Sequence, residues 1–297
     1  MKNLNYQRYL NKYFDFDGLL WDASRAAVDE GIARFIPDNN GNLLCKYEFL
    51  EWDSSVLGIS VARVDNIFFR EKTNIKEIEH LLSIINDVMK EQRITLALLR
   101  FGFDDFSLWN ALERNGWYTV DVLNIYFGEL SKIQIKSTAS SLMVREPTFP
   151  DAMKYFDHFD DLFLHARMYR DQNVKFEMAK KFYQDLFAYL FKKDSATKLS
   201  LWDNEEQVGL IIGAGDELLS RKVGFYITYL WEIIIKWEHR NKGYARILFD
   251  KYLEILRAES EFIEIGTQID NLAANRLYLS AGLRPAANAV TLHKWFP

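Results

Sequence analysis

Two short patterns in this sequence could do chemistry. The first is Arg240-x-x-Gly243-x-Ala245, placed between the apolar run Trp231-Glu232-Ile233-Ile234-Ile235-Lys236-Trp237 and an amphipathic segment that reaches about Arg257. Small residues at a strand-to-helix turn let backbone N–H groups approach an anion, and the new helix turns its positive end toward the same place. That suits a phosphate, with Arg240, Lys242, Gly243, Tyr244 and Ala245 around it. The same residues also suit a plain basic turn that starts a helix, and the pattern alone leaves both readings open. It is not a Walker A loop, because no Gly-Lys-Ser/Thr follows, and it lacks the first two glycines of a dinucleotide fingerprint.

The second pattern is Asn271-x-x-Ala274-x-x-x-Tyr278-x-x-x-Gly282. Asn271 falls at an N-cap position. Tyr278 lies about two turns further along the same helix face. A phenol with its ordinary pKa of about 10 is an acid that could protonate a leaving group. A core aromatic with a hydrogen-bonded hydroxyl is the other reading. Both patterns in this order describe a phosphate cradle with an acid nearby.

The elements that must position these residues read as α/β. Hydrophobic spacing predicts helices at 75–92, 106–114, 147–165, 175–192, 243–258 and 272–280, with a short one within 14–28. Strands are expected at 43–50, 59–64, 94–99, 118–127, 142–145, 199–202, 208–214, 224–237, 262–268 and 289–295. An internal repeat relates 94–127 to 262–296. Asp105, Leu108, Leu112 and Gly116 fall where Asn271, Ala274, Tyr278 and Gly282 fall. The first copy lacks the Asn, the Tyr and any preceding glycine turn. The turn signal Pro37-Asp38-Asn39-Asn40-Gly41-Asn42 marks the end of an N-terminal extension, 1–42, and the polar stretch 131–141 reads as a linker between a first unit, 43–135, and a second, 142–297.

Composition narrows the classes. The chain of 297 residues is 49% hydrophobic, 15% aromatic and 27% charged, which describes a globular protein with material for sizeable cores. A net charge of −5 without a basic run argues against nucleic acid as a partner. Cys45 is the only cysteine, so no internal disulfide can form. The five histidines, at 80, 158, 165, 239 and 293, show no metal-ligand spacing, and no metal is expected. No stretch has the apolar length of a membrane span, and the first twenty or so residues lack the apolar core of a signal peptide, so a cytoplasmic location is expected.

The two patterns, across about Leu142 to Pro297, resemble the GNAT superfamily of N-acetyltransferases. The resemblance implies a mixed sheet with helices on both faces. It implies that the Arg240–Ala245 turn binds the pyrophosphate of acetyl-CoA through backbone amides. It further implies that a splayed strand near Ile235 and Trp237 holds the pantetheine, that Asn271 contacts the cosubstrate, and that Tyr278 protonates the departing CoA thiolate. The repeat then reads as a degenerate half-GNAT domain before a complete one.

A narrower likeness concerns the acceptor. Trp52-Asp53-Ser54-Ser55-Val56-Leu57-Gly58 is similar to the Trp-Asp-Ser-x-Phe-Phe-Gly signature of nucleotide-sugar amine acetyltransferases of the dTDP-4-amino-4,6-dideoxygalactose type. Ala166-Arg167-Met168-Tyr169-Arg170-Asp171 is similar to their Ser-Arg-Phe-x-x-Asp pattern. This implies a small-molecule amine acceptor, a nucleotide sugar, with Trp52, Arg167, Tyr169 and Arg170 toward it. Val56-Leu57 and Met168 depart from the pattern. A protein amine, a polyamine and a non-catalytic acyl-CoA sensor are the alternatives. Glu232 is weighed as a general base against an exposed strand carboxylate. The base, the acceptor and the oligomeric state, a homodimer included, stay open.

Overall fold

The computed structural model describes all residues except 1, 4, 39, 70–73, 104–105, 137–140, 157–164, 216–219 and 221–222. Asp105, part of the expected linker and the end of the helix expected at 147–165 lie outside the described residues. The chain forms two compact units, residues 1–123, 166–182 and 287–297 in the first and 124–165 and 183–286 in the second. No single cut of the chain separates them.

In the first unit, strands β1 (Lys2–Asn3), β2 (Ala33–Pro37), β3 (Leu43–Phe49), β4 (Val61–Phe69) and β5 (Leu96–Gly102) join β12 (Arg284–Trp295) and β6 (Tyr118–Glu129). The order is β2-β3-β4-β5-β12-β6, with β1 on β4. β4 and β5 are parallel, and β12 runs antiparallel to β5 from Ala289↔Gly102 to Trp295↔Leu96. The turn at 37–42 closes the β2–β3 hairpin rather than an extension, and Asp38 accepts there from the Leu43 N–H at 3.1 Å. Helix α1 (Phe16–Asp29) precedes β2. Helix α2 (Glu51–Leu57) occupies the stretch between the strands expected at 43–50 and 59–64 and ends on Gly58 at φ +67. Helix α3 (Ile75–Glu91) opens with a reciprocal capping box between Asn74 and Glu77 and buries Ile78, Leu81, Leu82, Ile85 and Met89, the helical spacing seen in the sequence. With α4 (Phe106–Arg114) it packs a core that includes Trp117, Phe101 and Leu292.

In the second unit, β6 neighbours β11 (Phe262–Gln268), followed by β10 (Ile227–Ile235), β9 (Glu206–Gly215), β8 (Ala196–Asp203) and β7 (Met143–Arg145). β10 and β11 are parallel, whereas β7 to β10 are antiparallel to one another. The described helices here include α5 (Phe149–Phe156) and, after α6 (Arg167–Arg170), the second half of α7 (Phe176–Phe191). Next come α8 (Tyr244–Leu256) and α9 (Leu272–Ser280). Leu248, Phe249, Tyr252 and Leu253 of α8 pack with Ile211, Ile263, Ile265 and Tyr278.

The repeat is present in three dimensions. α4 and α9 are both nine residues long, β6 and β12 both twelve, and Gly116 and Gly282 follow the helices at φ +81 and +91. Each helix ends in a left-handed glycine because a side chain there would be strained.

Gly213 fixes how closely α8 approaches β9. A methyl at that position would meet the Tyr252 hydroxyl and the Tyr229 carbonyl, with Leu230 Cα at 3.1 Å. At Gly215 the nearest atom is at an ordinary 3.6 Å. Gly213→Ala is therefore expected to cost roughly 1–3 kcal/mol, and Gly215→Ala less than about 1 kcal/mol. Urea unfolding of both variants measures the contrast, and equal midpoints would contradict the close approach.

Candidate functional site

The site grows from the way β10 leaves its neighbour. β10 and β11 pair only from Ile227↔Phe262 to Leu230↔Ile265, yet β10 continues to Ile235 and β11 to Gln268. On its other edge β10 stays paired with β9 to Ile235↔Gly209, with a shift of register between Leu230 and Glu232. The edge of β10 facing β11 thus opens beyond Leu230. The strand stops at Ile235, and Trp237, expected on the strand, begins a short 3-10 turn and is 68% exposed. Ile235 is buried in the core.

The Arg240–Ala245 turn lies immediately beyond. Asn241 and Gly243 both take left-handed backbone, φ +63 and +81. Gly243 is the N-cap of α8 and supplies no side-chain acceptor, so the first-turn amides have no capping group. A Cβ on Gly243 would meet nothing within 4 Å. Arg240 donates from Nε to the Ile235 carbonyl at 3.1 Å, and its guanidinium lies over the Trp237 ring at 4.8 Å. Lys242 is exposed. The Tyr244 side chain turns aside and donates to Asp203 Oδ2 at 2.8 Å.

α9 carries the second pattern. Asn271 is its N-cap and accepts from the Ala274 N–H at 3.2 Å, so its side-chain oxygen is engaged in capping. Tyr278 is 4% exposed, and its ring lies 5.5 Å from that of Tyr126 and 5.6 Å from that of Phe249. Its pKa is not the ordinary value expected. Burial raises it, and the neighbouring charge of Glu232 and the Tyr126 phenol raise it further. Glu232 stands in the stretch of β10 beyond the pairing with β11. It is not an exposed strand carboxylate: desolvation pushes its pKa up to about 8.

Asn275 was not singled out in the sequence. It is buried and holds the start of α9. Its amide donates to the carbonyls of Gln268 at 2.9 Å and Asn271 at 2.7 Å, and its oxygen accepts from Tyr126 at 2.8 Å and Asn124 at 2.7 Å. An Asn one turn inside a helix gives no local signal for such a role, because its partners lie on β6, some 150 residues away.

In the first unit, Arg167 and Trp52 come together on Phe182. The Trp52 ring meets it edge-on at 5.2 Å and the Arg167 guanidinium sits 5.8 Å from its centre. Arg167 Nη2 is 3.6 Å from Asp53, whose pKa is raised by burial against the opposing pull of Arg167. Tyr169 packs edge-on against Phe176 at 5.3 Å, and Arg170 is half-buried at the end of α6. Asp171, 1% exposed, fixes this segment. It accepts from Tyr118 at 2.6 Å, the Asn173 N–H at 2.9 Å, Trp295 at 2.9 Å and His293 Nδ1 at 2.6 Å. Burial alone would raise its pKa, but these bonds outweigh it and hold the carboxyl at about 2. Among the described residues no group of His, Cys, Asp and Glu is arranged to hold a metal, and no helix is long and apolar enough to cross a membrane.

Residues 160–283 match the Acetyltransferase (GNAT) family. No curated protein matches the chain in sequence. Several solved structures share its fold along most of its length. A GCN5-related N-acetyltransferase from Kribbella flavida is 13% identical over 92% of this chain and 94% of its own, with a TM-score of 0.55. Another from Sphaerobacter thermophilus is 13% identical over 89% of this chain and 80% of its own, with a TM-score of 0.56. A tandem GNAT protein from the clavulanic acid biosynthesis pathway is 14% identical over 93% and 94%, with a TM-score of 0.52. At these identities the likeness is one of fold, a GNAT fold with an additional half-domain. The family match falls on the stretch that carries the open strand edge, the uncapped turn and Tyr278.

Proposed function

We propose that this chain transfers the acetyl group of acetyl-CoA to the amine of a small acceptor, an amino-deoxy sugar nucleotide of the dTDP-4-amino-4,6-dideoxygalactose type. The observation that carries the transfer is the parting of β10 from β11 at Leu230, with Glu232 just beyond it and in electrostatic reach of Tyr278. The residues fit the cosubstrate. The unpaired edge of β10 up to Ile235, with Trp237 beyond, offers peptide groups to the amide-bearing pantetheine arm. The uncapped amides at Gly243, Tyr244 and Ala245, with Lys242 alongside, suit its pyrophosphate.

Acetyl-CoA supplies an activated acyl carbon; the side chains manage protons. Glu232, with a pKa of about 8, takes a proton from the attacking ammonium, directly or through water. Tyr278 stays protonated throughout the physiological range and donates to the departing thiolate. The two transfers assist each other. Glu232 charge is one cause of the raised Tyr278 pKa, so a newly neutral Glu232 makes the phenol a better acid. Backbone N–H groups of β10 beyond Leu230 are the donors for charge developing on the acyl oxygen.

The acceptor reading rests on Trp52, Arg167, Tyr169 and Arg170. A guanidinium matches the geometry of a diphosphate. Arg167 stands 3.6 Å from Asp53, beyond a good hydrogen bond, so a diphosphate would compete with a loosely paired carboxylate.

Two measurements test the reading. A carboxyl that titrates at about 8 is protonated below that pH and becomes a base above it. kcat/KM should therefore climb with pH until about 8 and then level off. Glu232→Gln should flatten that limb and lower kcat about 10²- to 10⁴-fold. Tyr278→Phe should leave acetyl-CoA affinity in place and cut turnover by a similar factor, and unchanged turnover would remove Tyr278 from the mechanism. For the acceptor, thiol release is compared with dTDP-4-amino-4,6-dideoxygalactose, spermidine and a lysine peptide. The sugar nucleotide should be preferred, and Arg167→Ala should raise its KM about tenfold or more. Preference for either of the other amines would reject the sugar nucleotide while leaving acetyl transfer standing.

A further inference from the structure

The acids at the tip of the β8–β9 hairpin face the Arg240–Ala245 turn from both of its ends. Asp203 and Glu206 are paired across the hairpin, with Asn204 between them at φ +53. On the far side of the turn, the first residue of α8, Tyr244, donates its hydroxyl to Asp203 at 2.8 Å. On the near side, Glu206 accepts from Lys236 Nζ at 2.7 Å and lies 3.3 Å from His239 Nε2. The His239 and Tyr244 rings stack at 5.7 Å and 27°, so the two sides of the turn also touch each other. The Lys236 N–H continues the strand ladder to the Val208 carbonyl at 3.0 Å.

This arrangement is odd for a mere turn. Asn241, a residue with a side chain, takes left-handed backbone in a four-residue connection, a conformation that persists where the surroundings fix it. Two carboxylates also stand beside a place suited to an anion. Each carboxylate is engaged by a donor from the turn's flanks, and those bonds spend negative charge on holding the turn rather than on repelling a phosphate. Lys236 lowers the Glu206 pKa chiefly through its hydrogen bond, and the bond to Asp203 raises that of Tyr244.

We propose that Asp203 and Glu206 are positioning residues for anion recognition: the hairpin tip clamps Tyr244 on one side and Lys236 and His239 on the other, presetting the backbone amides of the turn for the pyrophosphate of acetyl-CoA. This rests on the reading of the turn as the acetyl-CoA pyrophosphate site. A preset turn spends less of the binding energy on ordering itself, so the clamp acts on affinity. The acids act on the turn alone, and the proton transfers assigned to Glu232 and Tyr278 do not pass through them.

The test separates the pyrophosphate from the rest of the cosubstrate. Binding of CoA is followed by calorimetry, and binding of pantetheine, which has the thiol arm and no phosphate, by ligand-observed NMR. Asp203→Ala and Tyr244→Phe should each weaken CoA about ten- to a hundredfold, the scale of one hydrogen bond to a charged group, and leave pantetheine binding as in the wild type. Glu206→Gln should have a smaller effect in the same direction. In the acetyl-transfer assay, Asp203→Ala should raise KM for acetyl-CoA with kcat unchanged, a split that a general loss of structure would not produce. Wild-type CoA affinity in both Asp203→Ala and Tyr244→Phe overturns the inference, as does an equal loss for CoA and pantetheine. A wild-type protein that binds CoA no better than pantetheine sinks the pyrophosphate cradle itself, and the clamp with it. That outcome is told apart because it appears before any substitution is made.

Discussion

A β-strand edge must pair, meet water or meet a ligand, because every peptide group on it carries a donor and an acceptor. β10 meets this constraint differently on its two edges. Against β9 it is paired to its last residue, Ile235; against β11 it is paired only to Leu230. The register shift between Leu230 and Glu232 lies where the pairing ends. An irregularity of that kind bends a strand and increases its twist, which carries β10 away from β11 while β9 follows it. Because β10 and β11 are parallel, their carboxyl ends lie at the same end of the sheet. The turn that opens α8 follows one strand and the helix bearing Tyr278 follows the other. The Arg240–Ala245 turn and the phenol are therefore neighbours by topology before any side chain is considered, at the end of the sheet where open α/β folds place ligands.

Burial then sets the chemistry. Glu232 and Tyr278 share a desolvated environment with Tyr126 and Phe249, and both pKa values rise. A rise makes a carboxyl a stronger base and a phenol a more persistent proton holder. In the proposed reaction the two groups differ in role because their ordinary values lie on opposite sides of neutrality, not because their surroundings differ. Asn275 ties the assembly together, joining the end of β11, the cap of α9 and the Tyr126 hydroxyl in one buried set of bonds.

What was legible in the sequence was local. Helical spacing in α3, the glycine after α9, the Asn271 cap and the Arg240–Ala245 turn each announce themselves within a few residues. So does the repeat, down to the lengths of α4 and α9. What was hidden depends on distant partners. The bounds of the units could not be read, because β12, the last strand of the second copy, pairs with β5 of the first. The hairpin at 33–49 looked like a boundary because a tight turn and a linker use the same residue types. Glu232 looked exposed because strand alternation says nothing about a neighbour that departs. Tyr278 and Asp203 depend likewise on residues remote in sequence.

The two copies of the repeat also differ at the position that carries Tyr278. Where the second has Tyr278 the first has Leu112 of α4, fully buried in the core that α4 shares with α3. A leucine there completes an apolar core and needs no partner; a tyrosine needs a place for its hydroxyl. The first unit also buries Asp171, whose four donors come from β6, β12 and its own loop. His293 stays fully buried, and burial lowers its pKa, while its bond to Asp171 opposes that shift. A neutral imidazole that donates from Nδ1 leaves the single negative charge on Asp171, where three other donors also stabilise it. The acid of the Ala166–Asp171 stretch is thus an anchor, and the residue it presents is Arg167. Four residues before that anchor, the half-buried Arg167 guanidinium lies close to both the Phe182 ring and Asp53.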